Sequence, residues 1–210
     1  THDQSSAASD VYKRQGLTGG STPFGSDYDR PIVIINTMRI KDIHIIKEGS
    51  QIVGLTGSTL YGLERKLKPY GREPHSIIGS TSIGASIIGG ICNNAGGSLV
   101  QRGPSYTEMA LYARISKTGK LELVNELGIN LGSNPEEILD NLQNQNYNES
   151  DIHETDQLGS DNKYSEIVRE IDKSTPARYN SDSRLLYGAS GSAGKIAVFA
   201  VRLDTYVSPC

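Results

Sequence analysis

The sequence predicts an α+β fold, and three observations carry that reading. Short β-rich runs recur at near-regular spacing early in the chain, at Pro31–Asn36, Ile43–Ile46 and Gln51–Gly54. The period then changes to helical between Thr59 and Tyr70. Two alternating runs, Met109–Ile115 and Leu121–Val124, follow around the turn Lys117-Thr-Gly-Lys120. Strands, a helix and then a hairpin do not make a repeating βαβ series.

Each element has a local reason. In the helical stretch, Leu60, Leu63 and Leu67 fall at i, i+3 and i+7, with Glu64, Arg65, Lys66 and Lys68 opposite. Ser58 is placed to cap its start and Gly71 to stop it. Ser133-Asn-Pro-Glu136 has capping-box spacing ahead of Ile138, Leu139 and Leu142, so a short helix is predicted there. Tyr164–Ile171 reads as another helix and Ile196–Tyr206 as a last strand. Between Asp140 and Asn162 stand six acidic residues, five asparagines and no lysine or arginine, the composition of a mobile acidic surface insertion.

Composition narrows the function classes. The 210 residues carry 21 basic and 24 acidic side chains, a net charge of −3, which argues against a chain built to grip nucleic-acid phosphates. No apolar run approaches the ~20 residues of a membrane-spanning helix. The four histidines are scattered, so no metal-ligand cluster is readable. Two cysteines, Cys92 and Cys210, fit a reducing compartment. Thr1–Gln15 lacks apolar periodicity and is expected to be a non-native leader, with organised sequence from Gly16 to Tyr206 and a truncated end at 207–210.

Glycine is the outlier, at 23 residues. In the cluster Gly16-Leu-Thr-Gly-Gly-Ser-Thr-Pro23, small residues let backbone N–H groups converge, either on an anion such as a diphosphate or in a plain surface turn. The second cluster, Gly79 to Gly103, holds seven glycines with Ile83, Ile87, Ile88 and Ile91 between them. Apolar spacers around bare backbone suit close approach to a large planar or phosphorylated ligand. Tight packing of helix on sheet would account for only one or two of those glycines. Gly188–Lys195 imitates a phosphate-binding P-loop, but Ala189 stands where its first glycine belongs and Ile196 where its Ser/Thr belongs. No G-x-G-x-x-G follows a strand either. His75, just before the second cluster, reads as a hydrogen-bonded structural residue, with approach to a substrate or cofactor ring as the alternative. Cys92 reads as a small buried hydrophobe.

The longer strings carry a resemblance. Gly16-Leu-Thr-Gly-Gly-Ser-Thr-Pro23, Asp27-Tyr-Asp-Arg30, Gly71-Arg-Glu-Pro-His-Ser76, Ile83–Asn94, Gly97–Pro104, Thr175–Asn180 and Ala197–Thr205 resemble the quinone-dependent D-lactate dehydrogenase family. The resemblance implies an FAD-binding domain of the p-cresol methylhydroxylase/vanillyl-alcohol oxidase type, truncated at both ends. It implies FAD contacts at Gly16, Gly20, Ser21, Gly79, Ser86, Gly96 and Val198, with the cofactor held non-covalently. It further implies oxidation of D-lactate to pyruvate, electrons leaving to a membrane quinone, and a peripheral position on the cytoplasmic side of the inner membrane. Substrate-binding and membrane-docking regions are expected outside this chain, so the piece alone is expected to be inactive, and no catalytic base is assigned. The other readings are a different FAD-linked 2-hydroxy-acid or alditol oxidoreductase and a non-redox Gly/Asn-rich binding domain.

Overall fold

A computed structural model describes residues 35–75, 84–95, 100–172, 187–192 and 196–209. The first two strands, β1 (Ile43–Ile46) and β2 (Gln51–Leu55), form a tight hairpin. They precede helix α1 (Leu60–Leu67), the two-residue strand β3 (Arg72–Glu73) and helix α2 (Ile87–Cys92). Strands β4 (Ala110–Ile115) and β5 (Leu121–Asn125) make a second hairpin, followed by helices α3 (Pro135–Gln143) and α4 (Tyr164–Ile167). Strands β6 (Ala197–Asp204) and β7 (Tyr206–Val207) come last.

β6 enters between the two hairpins, giving a five-stranded sheet of order β1-β2-β6-β4-β5 in which every pairing is antiparallel. This is mixed helix and sheet, as the α+β reading expects. β3 and β7 pair separately. Alternation along the strands sorts side chains to two faces. Ile43, Ile52, Val201, Leu203 and Tyr112 meet Leu60, Leu63 and Leu67 of α1 and Ile87, Ile88 and Ile91 of α2 on the first face. Ile46, Val53, Leu55, Leu111 and Ala200 meet Leu127, Ile129, Leu131 and Leu142 on the second. The register slips once, since Leu111 pairs with Ala200 but Tyr112 with Val198, which leaves Phe199 as the extra residue of a bulge. Thr56 closes that bulge, its amide and hydroxyl both donating to Phe199 O at 3.0 and 2.7 Å.

Several boundaries move by a residue or more, each for a local reason. Thr59, not Ser58, caps α1 by accepting from Gly62 N at 3.0 Å, because the Ser58 hydroxyl is spent on Asp42 O at 2.6 Å. Asn134, not Ser133, caps α3 with Pro135 behind it, and the Glu137 carboxylate reaches back to Ser133 N at 2.9 Å. α4 stops at Ile167, short of Ile171, which is 86% exposed and gives the segment no apolar face to bury. The run Pro31–Asn36 lies mostly outside the described residues.

The acidic stretch 140–162 is pinned to the second face. Leu142 is buried there and Tyr147 donates to, or accepts from, His44 Nδ1 at 2.6 Å. Beneath it Arg202, only 1% exposed, gives Nε to Gln51 Oε1 at 2.9 Å and Nη1 to Leu127 O at 3.0 Å. Backbone carbonyls thus hold a guanidinium that the sheet takes out of water, and burial lowers its pKa.

Candidate functional site

The candidate site lies on the first face, where α2 packs on β2 and β6. Ser86 starts α2, its hydroxyl accepting from Gly89 N at 3.0 Å, and it forms a lone bridge with Thr59 at the start of α1. The helix is Ile-Ile-Gly-Gly-Ile-Cys, with both glycines buried. It can settle close because β2 carries Gly54 below it, where an added Cβ would stand 3.1 Å from Ile87 Cδ1. Beyond the helix Asn94 takes a positive φ of 45° and the chain turns back, Ala95 N donating to Gly90 O at 2.8 Å. The loop 187–192 closes the same end, with Gly191 N on Ile91 O at 3.1 Å and the Ser190 hydroxyl on Thr107 O at 2.7 Å.

At that same end sits a platform built from residues far apart in sequence. Arg72 donates to Thr205 O at 2.8 Å, and the β3–β7 ladder sets Glu73 beside Tyr206. Arg102 then ties the parts together. It pairs with the Glu73 carboxylate, donates to Pro74 O at 2.8 Å and lies over the Tyr206 ring, 4.3 Å from its centre. His75 follows Pro74 directly and is 5% exposed. Its Nε2 shares a 2.6 Å hydrogen bond with Ser105 Oγ, and Ser105 N donates to Ala95 O at 3.0 Å, so the imidazole stands at the far end of α2. His75 Nδ1 is buried and has no hydrogen-bond partner among the described residues. Burial, and after it the charge of Arg102, pushes the imidazole pKa down to about 4, so the ring is neutral at ordinary pH.

Of the residues expected to touch a cofactor, Ser86 and Val198 fall within the described part of the chain. Val198 is 7% exposed, lies in the same core cluster as Ile87 and Ile88, and accepts the Thr56 hydroxyl at 2.7 Å. Val198 thus packs in the core beneath α2, the helix that Ser86 starts. Gly16, Gly20, Ser21, Gly79 and Gly96 lie outside the described residues, as do Lys195 and the run Thr1–Gln15. Sequence reasoning missed Arg102, Ser105, Thr205 and Tyr206, which hold the loop bearing His75; their pairings span 28 to 133 positions, and no local pattern signals them. Cys92 is a free thiol whose pKa burial raises to about 11, as suits a packing residue. Among the described residues no group of histidine, cysteine and carboxylate side chains could hold a metal, and no helix is long and apolar enough to cross a membrane.

Comparison with known proteins gives this layer its context. No family model matches the chain. Over 191 residues, 91% of its length, the chain is 62% identical to a quinone-dependent D-lactate dehydrogenase of Haemophilus influenzae. It is 58% identical to the enzyme of that name from Escherichia coli and 51% to that from Corynebacterium glutamicum, again over 191 residues. The chain is similar to quinone-dependent D-lactate dehydrogenases. It spans about a third of their length, 33–34% of each. The aligned stretch leaves out about a tenth of the chain.

Proposed function

We propose that this chain is the cofactor-holding part of a D-lactate dehydrogenase that oxidises D-lactate to pyruvate and passes the electrons to a membrane quinone. The observation that carries this is 51–62% identity to three dehydrogenases of that specificity across 91% of the chain. Identity at that level preserves the core and its backbone course. We further propose that the cofactor is non-covalent FAD, in a domain of the p-cresol methylhydroxylase type.

The residues present fit such a group on two counts. A buried helix carries adjacent glycines, Gly89 and Gly90, so no side chain covers its backbone there. Near its end a buried imidazole nitrogen has no partner among the described residues. Gly16, Gly20, Ser21, Gly79, Ser86, Gly96 and Val198 would hold the cofactor. When bound, FAD would supply the two-electron chemistry, taking hydride from C2 of lactate and yielding electrons to the quinone.

This chain's own part is binding and positioning. The antiparallel sheet closes one side to water with Val198, Val201 and Ile52, each buried. The capped start of α2 fixes Ser86, and Arg102 and Ser105 fix His75. The groups that hold lactate, and the surface that meets the membrane on its cytoplasmic side, belong to parts of the protein outside this chain.

The test is a dye-coupled assay of a protein of the relatives' full length carrying this chain, with D-lactate, L-lactate and glycolate. D-lactate should be preferred, and acid precipitation should release all yellow colour to the supernatant. Preference for another 2-hydroxy acid or an alditol would transfer the reading to a different FAD-linked oxidoreductase. A colourless protein that neither retains FAD nor quenches its fluorescence would leave a non-redox binding domain.

A further inference from the structure

We propose that His75 is a cofactor-positioning residue, its Nδ1 hydrogen-bonding the flavin–ribityl half of FAD while its Nε2 is held by Ser105. This rests on the reading of the site as an FAD site and adds a residue to it.

Three observations meet at this side chain. The ring is spent on one side only: Nε2 and Ser105 Oγ are 2.6 Å apart, whereas Nδ1 is buried without a partner. Buried polar groups are normally satisfied, so one left without a partner among the described residues has room for a ligand's polar atom. The loop that bears the ring is also held more firmly than a two-residue strand requires. Arg72 on Thr205, Arg102 on Glu73 and Pro74, and Tyr206 beneath Arg102 anchor residues 72–74 from three sides. Such anchoring aims the ring before any ligand arrives. Finally, the His75–Ser105 pair joins the two stretches that would carry the cofactor. Gly79 follows His75 by four residues, and Ala95, whose carbonyl Ser105 holds, directly precedes Gly96.

Burial and then Arg102 lower the imidazole pKa. A neutral ring can donate or accept at Nδ1, as the amide edge of the isoalloxazine or a ribityl hydroxyl requires, and the ADP comparison below separates that contact from one to the diphosphate. Ser105 Oγ can donate or accept, so Nδ1 can serve as acceptor or donor.

Two substitutions separate this role from a purely structural one. The amide of His75→Asn falls near the position of Nδ1, and that of His75→Gln near Nε2. Measured in the full-length protein, His75→Gln should weaken FAD about tenfold and shift the visible flavin absorption. His75→Asn should bind within about threefold of the unsubstituted protein and keep the spectrum. ADP, which has the diphosphate without the flavin, should bind all three proteins alike. Unchanged FAD affinity in His75→Gln, equal losses in both variants, or an equal loss of ADP affinity would each overturn the proposal. An unsubstituted full-length protein that binds no FAD would instead sink the cofactor reading itself.

Discussion

Acid should loosen the His75 platform by an amount set by one imidazole. Its pKa is about 4 in the fold, against 6.5 for an ordinary histidine, because burial and Arg102 both oppose the charge. A histidine of this kind takes its proton readily only in the opened chain. Its share of stability is therefore complete above about pH 6.5 and is lost as pH falls toward 4. The gap is about 2.5 pH units, worth ~3 kcal/mol at ~1.4 kcal/mol per unit, and roughly 2 kcal/mol of it should be gone by pH 5. His44 titrates in the same direction, lowered first by burial with Lys66 adding and Asp42 opposing, so a single curve would mix the two. The comparison that isolates His75 uses His75→Gln, which keeps a polar group for Ser105 and cannot titrate in this range. Hydrogen exchange of the Ser105 amide, which donates to Ala95 O at 3.0 Å, reports the local opening in flavin-free full-length protein. After correction for intrinsic rates, the opening free energy should fall by about 2 kcal/mol more in the unsubstituted protein than in the variant between pH 7 and 5. Parallel curves would refute the argument, because they would mean His75 is solvated or already charged.

Gly57→Ala should cost about 1–3 kcal/mol by thermal melting, since its Cβ would stand 2.7 Å from Thr37 O and 2.9 Å from Ile40 O, backbone atoms with little room to move. Gly119→Ala, in the hairpin turn with φ +80° and open space around it, should cost about 1 kcal/mol at most, so the two melting shifts must differ. Arg202→Met should lower stability by roughly 3 kcal/mol, because the Leu127 carbonyl and the Gln51 side chain lose their buried donor. Urea midpoints would check this, and a loss under 1 kcal/mol would show that water replaces the guanidinium. Cys92 should resist iodoacetamide in the native protein at pH 8 and react only after denaturation, as a thiol with pKa near 11 is almost wholly protonated there.

Local patterns were legible wherever neighbours in sequence decide the outcome. The leucine spacing of α1 and the β4–β5 hairpin with Gly119 at a positive φ follow from periods and turn chemistry that need no distant partner. Caps shifted by a residue because candidate side chains compete: Ser58 and Thr59 both could cap α1, and the demand of Asp42 O on Ser58, 16 positions away, settled it. The stretch 140–162 reads as mobile surface on composition alone, yet Tyr147 and Leu142 fasten it to a sheet whose existence depends on β6, which begins only at Ala197.

From its sequence alone this protein declared an α+β chain, two glycine-rich segments that raise the expectation of a large ligand, and a resemblance to D-lactate dehydrogenases that the identities bear out. Those features live in short windows, where backbone freedom and apolar period are written residue by residue. Only the tertiary structure decided that β6 enters between the two hairpins, that Val198 packs with Ile87 and Ile88 of α2, and that Arg202 and His75 are buried. Burial and long-range pairing depend on which segments meet, and a single chain read in order does not contain that information. The orphaned nitrogen of His75 is of this second kind: its residue type was visible from the start, but its want of a partner became a fact only once Arg102, Ser105 and Tyr206 had closed around it.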